Sequence, residues 1–424
     1  MISFRNKLLK TGAKYSLAST LSALCTMAIG FVNMRWLGPE LLGIWQSVTI
    51  ISSYLPILQL GIQSGLNLEL PVLLGADRKE DAKRMISTAL YYALLLASVF
   101  CVFTVIVMAI LYLRGTDNKT LLGVFVVCSM AIFNCFKSHY IATYRSSKAF
   151  DSLANIYWVD CVVSLLLIFV IYKYLYYGLL IFHFIKEAFF ALMMFVFAPY
   201  RSIKPSFSKN EFKVLLKRGI FMTVFNEIKG IYHSLPRLIL LNFGGVVMVG
   251  LFNPALVVGS FMNLFPTQIA QFLHPQMGMK YGQTGNARDM WPYFKILTIF
   301  VPLFLIIPAA IGWWLIPYVI EYVFPKYLES IVPIRIMLIG FMFTTTFFSR
   351  GFLITIKAYF SVIMLSIIDI ILFAVLSLLF INFSGFDILI ALAVALSVTY
   401  LITYFLNIIV VKHVIFQPKY NKEL

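Results

Sequence analysis

The apolar segment 219–241 carries Glu227, Lys229, His233 and Arg237, side chains that can exchange a proton or hold a counter-ion. Thr223, Asn226, Gly230, His233 and Arg237 recur at steps of three and four, which places them on one helical face. Glu227 and Ser234 flank that face and Lys229 marks its other edge. Pro236, beside Arg237, predicts an interruption of the helical ladder there. A second stripe joins Ser16, Ser19, Ala23, Thr26, Gly30 and Asn33, and a third joins Ser52, Pro56, Gln59, Gln63 and Asn67. Stripes of small polar residues also serve dry helix packing. Charges are harder to place, since one at a bilayer centre costs from about 3 to more than 10 kcal/mol depending on the method. Glu227 and Lys229 cannot pair directly, because residues two apart diverge on a helix. Two readings stay open for this segment: a water-filled cavity, or a structural ion-pair network.

Other ionisable groups lie in apolar surroundings. Asp160 and Asp369 are expected either to neutralise Lys137 and Arg335 or, like Glu227, to couple transport to a proton or cation. Lys186, Glu187 and Lys295 lie near segment ends, where they are expected to snorkel. His139 and His183 read as packed or interfacial imidazoles. Cys25, Cys101, Cys128, Cys135 and Cys161 sit inside apolar segments at no metal-ligand spacing and read as small packing residues. No nucleophile elbow, phosphate-binding glycine loop or His-Glu metal motif occurs in the sequence. No catalytic residue, metal or cofactor is therefore assigned, and the chain is not expected to be an enzyme.

The elements that must position these groups are long apolar runs. Of 424 residues, 61% are apolar and 12% charged, against about 45–50% and 25% in soluble domains. About 20 apolar residues in a helix cross a bilayer core, and the alternating pattern of a membrane barrel is missing. The fold class is an all-α membrane protein. About twelve transmembrane helices are expected, near 13–34, 41–66, 86–112, 120–143, 153–172, 178–198, 219–241, 246–272, 292–316, 330–349, 359–381 and 388–411. The net charge of +17 does not imply nucleic acid. With the N-terminus inside, twenty-three Lys and Arg fall in cytoplasmic segments, among them Arg78, Arg201, Arg350, Lys357 and Lys422. Only Arg35, Arg114, Lys119, Lys173 and Lys326 fall outside, which by the positive-inside rule puts both termini in the cytoplasm of a bacterial inner-membrane protein. No cleavable signal is expected, because the first apolar segment is long and lacks a small-residue cleavage site.

A shift of 207 positions overlays Gly12 on Gly219, Gly38 on Gly245 and Gly43 on Gly250, and a shift of 209 overlays Asp160 on Asp369. This predicts two six-helix bundles related by a parallel pseudo-two-fold repeat. The expected boundaries are an N-terminal bundle 1–198, a basic cytoplasmic linker 199–218, a C-terminal bundle 219–411 and a tail 412–424. No loop is large enough to hold a folded catalytic domain.

The run Arg35-Trp36-Leu37-Gly38-Pro39-Glu40-Leu41-Leu42-Gly43-Ile44-Trp45 resembles the R-x-L-G-P-x-x-x-G-x-[WY] signature of polysaccharide exporters in the multidrug/oligosaccharidyl-lipid/polysaccharide (MOP) superfamily. Gly61-Ile62 through Leu66-Asn67-Leu68-Glu69-Leu70-Pro71 is similar to the G-I-x-x-x-L-N-R-E-L-P run of Wzx-type O-antigen flippases, with Leu68 where a basic residue is expected. The resemblance implies a flippase that passes an undecaprenyl-pyrophosphate-linked oligosaccharide to the periplasmic leaflet by alternating access. It implies a cavity lined by the first, second, seventh and eighth spans. On that basis Arg237, Lys229 and Lys14 would meet the pyrophosphate, with His233 in the same site. Gln59, Gln63, Asn67 and Asn226 would bond sugar hydroxyls. Glu227, Asp160 and Asp369 would couple H+ or Na+, and Arg35, Gly38, Glu40 and Pro236 would serve structure or gating. Membrane lipids, a polysaccharide polymerase and a chain-length regulator are the implied partners. A MATE-like drug or metabolite exporter is the nearest alternative, and a membrane polysaccharide polymerase or acyltransferase a more distant one.

Overall fold

The computed structural model describes residues 2–344 and 346–421. Lys422, counted with the cytoplasmic bases, lies outside the described residues, as do the side chains of Arg5, Lys7 and Lys10. Among the described residues the regular structure is helical, apart from a single bridge between Asn286 and Asn421. In chain order the helices are α1 Ile2–Thr49, α2 Ile62–Gly75, α3 Lys79–Leu113, α4 Asn118–Ser146, α5 Phe150–Val196, α6 Lys209–Phe243 and α7 Gly245–Leu251. There follow α8 Asn253–Thr284, α9 Trp291–Lys295, α10 Val301–Val323, α11 Ile331–Phe341, α12 Thr346–Thr355, α13 Tyr359–Phe383 and α14 Ile388–Ile415.

Among the described residues, eight stretches are long and apolar enough to cross a membrane: 14–59, 79–113, 118–146, 150–196, 245–270, 287–323, 359–383 and 388–415. Two of them are double. α1 breaks at Gly38 (φ 74°, ψ 174°), ahead of Pro39, and α5 breaks at Leu175 (φ 48°, ψ −117°). The arms of α5 fold back on each other, so that a Cβ on Gly178 would lie 2.2 Å from the Val170 carbonyl oxygen. With α6 and the pair α11–α12, the crossings number about twelve, as the apolar runs predict.

The backbone carries the repeat more legibly than the side chains do. Left-handed φ values recur at Gly38 and Gly245, Asp77 and Gly285, Lys148 and Lys357, and Leu175 and Gly385. The offsets are 207, 208, 209 and 210 positions, one residue more at each successive junction. The same helix ends are built twice, and the slow drift is what single-residue insertions in loops produce.

The chain divides into two compact units, Met1–Leu37 with Ile44–Gly230, and Gly38–Gly43 with Ile231–Leu424. In the first unit, α2 presents Ile62, Leu66 and Leu70, one per turn, to Met85, Ile86 and Ala89 of α3 and Leu215 of α6. Burial from lipid supplies little driving force, so close van der Waals packing must hold such a seam. Gly61 and Gly65, spaced as a G-x-x-x-G pair, permit it. A Cβ on Gly65 would lie 2.2 Å from the Leu215 carbonyl oxygen, and one on Gly219 would lie 1.8 Å from that of Gly61. In the second unit, Gly43 lies against Val246 and Gly250 against Pro39, with hypothetical Cβ atoms 2.1 and 1.8 Å from the respective carbonyl oxygens. The 207 shift exchanges Gly43 with Gly250 and Pro39 with Val246, so this contact is reciprocal.

Candidate substrate and ion-coupling groups

α6 begins with the Ser208 hydroxyl donating to the Glu211 carboxylate in the first turn. Its first part is fixed to α2 by Arg218 Nε on Glu69 Oε1 at 2.7 Å and by the Ser64 and Thr223 hydroxyls at 3.3 Å. Along the next turns Asn226 is exposed, Lys229 is half-buried and Glu227 is buried. Glu227 makes no ion pair among the described residues. Beyond Gly230, in the other unit, Tyr232 is buried with its ring centroid 6.1 Å from Phe373 and 6.3 Å from Tyr400. His233 is exposed and Arg237 half-buried. The helix runs on through Pro236 to Phe243, so the expected interruption does not occur. A proline inside a helix removes one N–H donor, here the one that would reach the Tyr232 carbonyl, and the surrounding turns hold the rest of the ladder.

The first unit contains a ladder of charges across α4 and the two arms of α5. Lys137 Nζ donates to Glu187 Oε2 at 2.5 Å, and Lys186 Nζ lies 3.8 Å from Asp160 Oδ2. Lys186 and Glu187 therefore do not snorkel, and Lys137 is neutralised by Glu187 rather than by Asp160. Neighbours on a helix point about 100° apart, so Lys186 faces the first arm of α5 while Glu187 faces α4. Ser22 of α1 also donates to Asp160 Oδ2 at 3.4 Å, whereas Asp160 Oδ1 has no hydrogen-bond partner among the described residues. Next to this contact the sulfurs of Cys25 and Cys161 are joined, tying α1 to α5. The sequence read both as packing residues, because nothing in their spacing of 136 positions relates them. Beside the Lys137–Glu187 pair is a cavity of about 260 Å3, bordered also by Ser52, Gln59 and Asn134.

In the second unit the ion pair is built by a residue that sequence reasoning counted with the cytoplasmic bases. Arg350 is only 1% exposed. Its guanidinium pairs with Asp369, Nη2 donating to Oδ1 at 3.0 Å and Nη1 lying 2.8 Å from Oδ2 without a hydrogen bond. Nε donates to Asn407 Oδ1 at 2.9 Å and Nη1 to Ser366 Oγ at 3.0 Å. Asp369 is thus neutralised, but by Arg350 of α12. Arg335, the expected partner, donates to the Trp313 carbonyl oxygen at 3.0 Å and lies over the Trp313 ring. One signal could have exposed Arg350, namely its setting between Phe347-Phe348 and Phe352-Leu353 rather than among loop residues.

The remaining candidates are dispersed. Lys14 is exposed, 3.7 Å from Asp151. Gln63 is buried and donates its Nε2 to the Ala89 carbonyl oxygen at 3.1 Å, while Asn67 is exposed. Arg35 and Glu40 are exposed on either side of the buried Gly38.

The family model for polysaccharide biosynthesis proteins matches residues 32–333, from just before the Gly38 break into the start of α11. The chain belongs to this family. No curated protein matches it in sequence. In fold, this family member is similar to a multidrug resistance MATE family transporter of the MOP superfamily solved in an inward-facing conformation. The TM-score is 0.78 at 14% identity, over 92% of this chain and 95% of that one. An outward-facing conformation of such a transporter gives 0.69 at 14% identity, over 96% and 95%. A Vibrio cholerae MATE transporter gives 0.66 at 14% identity, over 98% and 99%. At these identities the likeness is one of fold. It makes the chain a multi-pass membrane protein of about twelve helices in two six-helix repeats.

Proposed function

We propose that this protein is a flippase for an undecaprenyl-pyrophosphate-linked oligosaccharide, acting by alternating access in the bacterial inner membrane with both termini in the cytoplasm. The observation that carries the reading is a basic 35-residue helix, α6 with Lys229 and Arg237, in a member of the polysaccharide biosynthesis family. A pyrophosphate and a hydrophilic glycan cannot enter hydrocarbon, whereas a polyprenyl tail can stay there. The protein must supply cations for the diphosphate and polar groups for the sugar while the tail remains in lipid. Arg237 offers a planar fork suited to phosphate oxygens, and Lys229 a point charge. Lys14 and His233 extend the basic set. Asn226, Gln59 and Asn67 bond sugar hydroxyls, and Gln63 contributes its Oε1. Glu227 and Asp160 are the coupling carboxylates for H+ or Na+. Asp369, held by Arg350, sets the ground state of the second bundle. Arg35, Gly38, Glu40 and Pro236 serve structure or gating. No side chain is assigned a catalytic role. The product would pass to a polymerase and a chain-length regulator at the outer leaflet.

The test is a deletion strain in which the lipid-linked repeat unit is quantified on each face of the membrane. Accumulation on the cytoplasmic face, relieved by the wild-type gene, is the expected result. A normal distribution between leaflets, combined with altered drug sensitivity, would transfer the protein to the exporter class.

A further inference from the structure

We propose that a groove in the first unit is a binding site for one acyl chain of an anionic phospholipid, with the phosphate held at Arg201 and Lys204. The cavity measures about 730 Å3 and is walled by α3, α4 and the second arm of α5, with Leu94, Phe136 and Leu192 among its lining. Its mouth is covered by the segment 198–205, which follows the end of α5. That cover is fixed, because Ser87 of α3 donates to the Lys204 carbonyl oxygen at 2.6 Å.

Three features select the occupant. The walls are hydrocarbon while the rim carries two exposed cations, and that sequence of surfaces is the profile of an anionic amphiphile. Arg201 is already oriented, its guanidinium 5.0 Å from the Phe195 ring centroid. The volume favours one acyl chain over a complete polyprenyl tail. A methylene takes up about as much space as a water molecule, about 30 Å3, so the groove accepts roughly two dozen such groups. The site does not depend on which substrate the protein moves.

The experiment is native mass spectrometry of the full-length protein extracted from vesicles of equal phosphatidylglycerol and phosphatidylcholine. It is paired with photocrosslinking by phosphatidylglycerol bearing a diazirine near the end of one acyl chain. One phosphatidylglycerol retained per chain is expected, with crosslinks to Leu94, Phe136 or Leu192. Arg201→Gln with Lys204→Gln removes two exposed charges and should lower the preference for phosphatidylglycerol about thirtyfold. Ala191→Trp fills the groove and should abolish the crosslink. Equal retention of the two lipids, crosslinks elsewhere, or a polyprenyl phosphate retained in the groove instead would each overturn the proposal.

Discussion

Arg350 and Asp369 form a buried pair, hydrogen-bonded at one carboxylate oxygen and held by charge alone at the other. Two charges removed from water cost several kcal/mol each, and only mutual pairing plus full hydrogen bonding repays this. Here Asn407 and Ser366 take further donors of the guanidinium. Arg350→Ala therefore leaves a buried carboxylate and should destabilise the protein by about 3–5 kcal/mol, read as a lowered melting temperature in detergent. Arg350→Met with Asp369→Leu should recover most of that loss; a double variant as unstable as the single would refute the pairing argument. The sequence could not assign this pair, since Asp369 and the supporting Asn407 lie 19 and 57 positions from Arg350, and Arg350 is close enough to Lys357 to pass for a loop charge. Arg237 makes a different claim, about transport rather than stability. Arg237→Ala should abolish surface polysaccharide at an unchanged level of membrane-inserted protein, and Arg237→Lys should retain part of it, because a point charge replaces the fork. Immunoblots of polymer and protein from the same cells read both quantities. Full polymer in the alanine variant would remove Arg237 from the substrate path.

Helices announce themselves in this chain because bilayer thickness dictates the length of each apolar run. Their ends are less legible, and so are the places where two helices nearly touch. Gly43 and Gly250 were visible as a repeated pair, but that Gly43 lies under the Val246 carbonyl and Gly250 under that of Pro39 follows only from the structure. At 2.1 and 1.8 Å a methyl group has no room, and a backbone carbonyl cannot rotate away as a side chain can. Gly43→Ala and Gly250→Ala should each lower the yield of folded protein, and the pair together should not be additive, since both report on one contact. Size-exclusion profiles of fluorescent fusions measure this, and wild-type profiles for both singles would mean that the segments separate freely. The start of α4 is set by Asp117, whose carboxylate accepts from the Thr120 amide at 2.9 Å. That hydrogen bond holds its pKa below the ordinary carboxylate value. A depressed folded pKa stabilises the helix end above the unfolded value, about 3.9, and the contribution disappears as pH falls through the folded value below that. Hydrogen-exchange protection at Thr120, corrected for the intrinsic rate, should be level above pH ~4 and drop beneath it. Asp117→Asn, which caps without titrating, should remove the drop.

The positive charge of the whole chain predicts an orientation by the positive-inside rule, and the burial of one base alters the count behind that prediction. Burial of Arg350 takes one base from the cytoplasmic count of twenty-three, leaving twenty-two against five outside. The margin survives because a positive-inside bias depends on many loops rather than on one. The repeated helix junctions bear on the same question. Residues 148 and 357 share a left-handed backbone at equivalent turns, as do 175 and 385. If the halves repeat over six crossings each, equivalent junctions must fall on the same side of the membrane. Single cysteines in a background without native cysteines should therefore label in matched pairs. Lys148→Cys and Lys357→Cys should react with a membrane-impermeant maleimide only after the cells are opened. Lys173→Cys and Asp387→Cys should react in spheroplasts with the inner face sealed. Labelling of one member of a pair from each side would mean that a half has five or seven crossings, and the parallel repeat would fall with it. A uniform reversal would keep the repeat and invert the protein, which twenty-two bases on the outer face make energetically unfavourable against the inside-negative membrane potential.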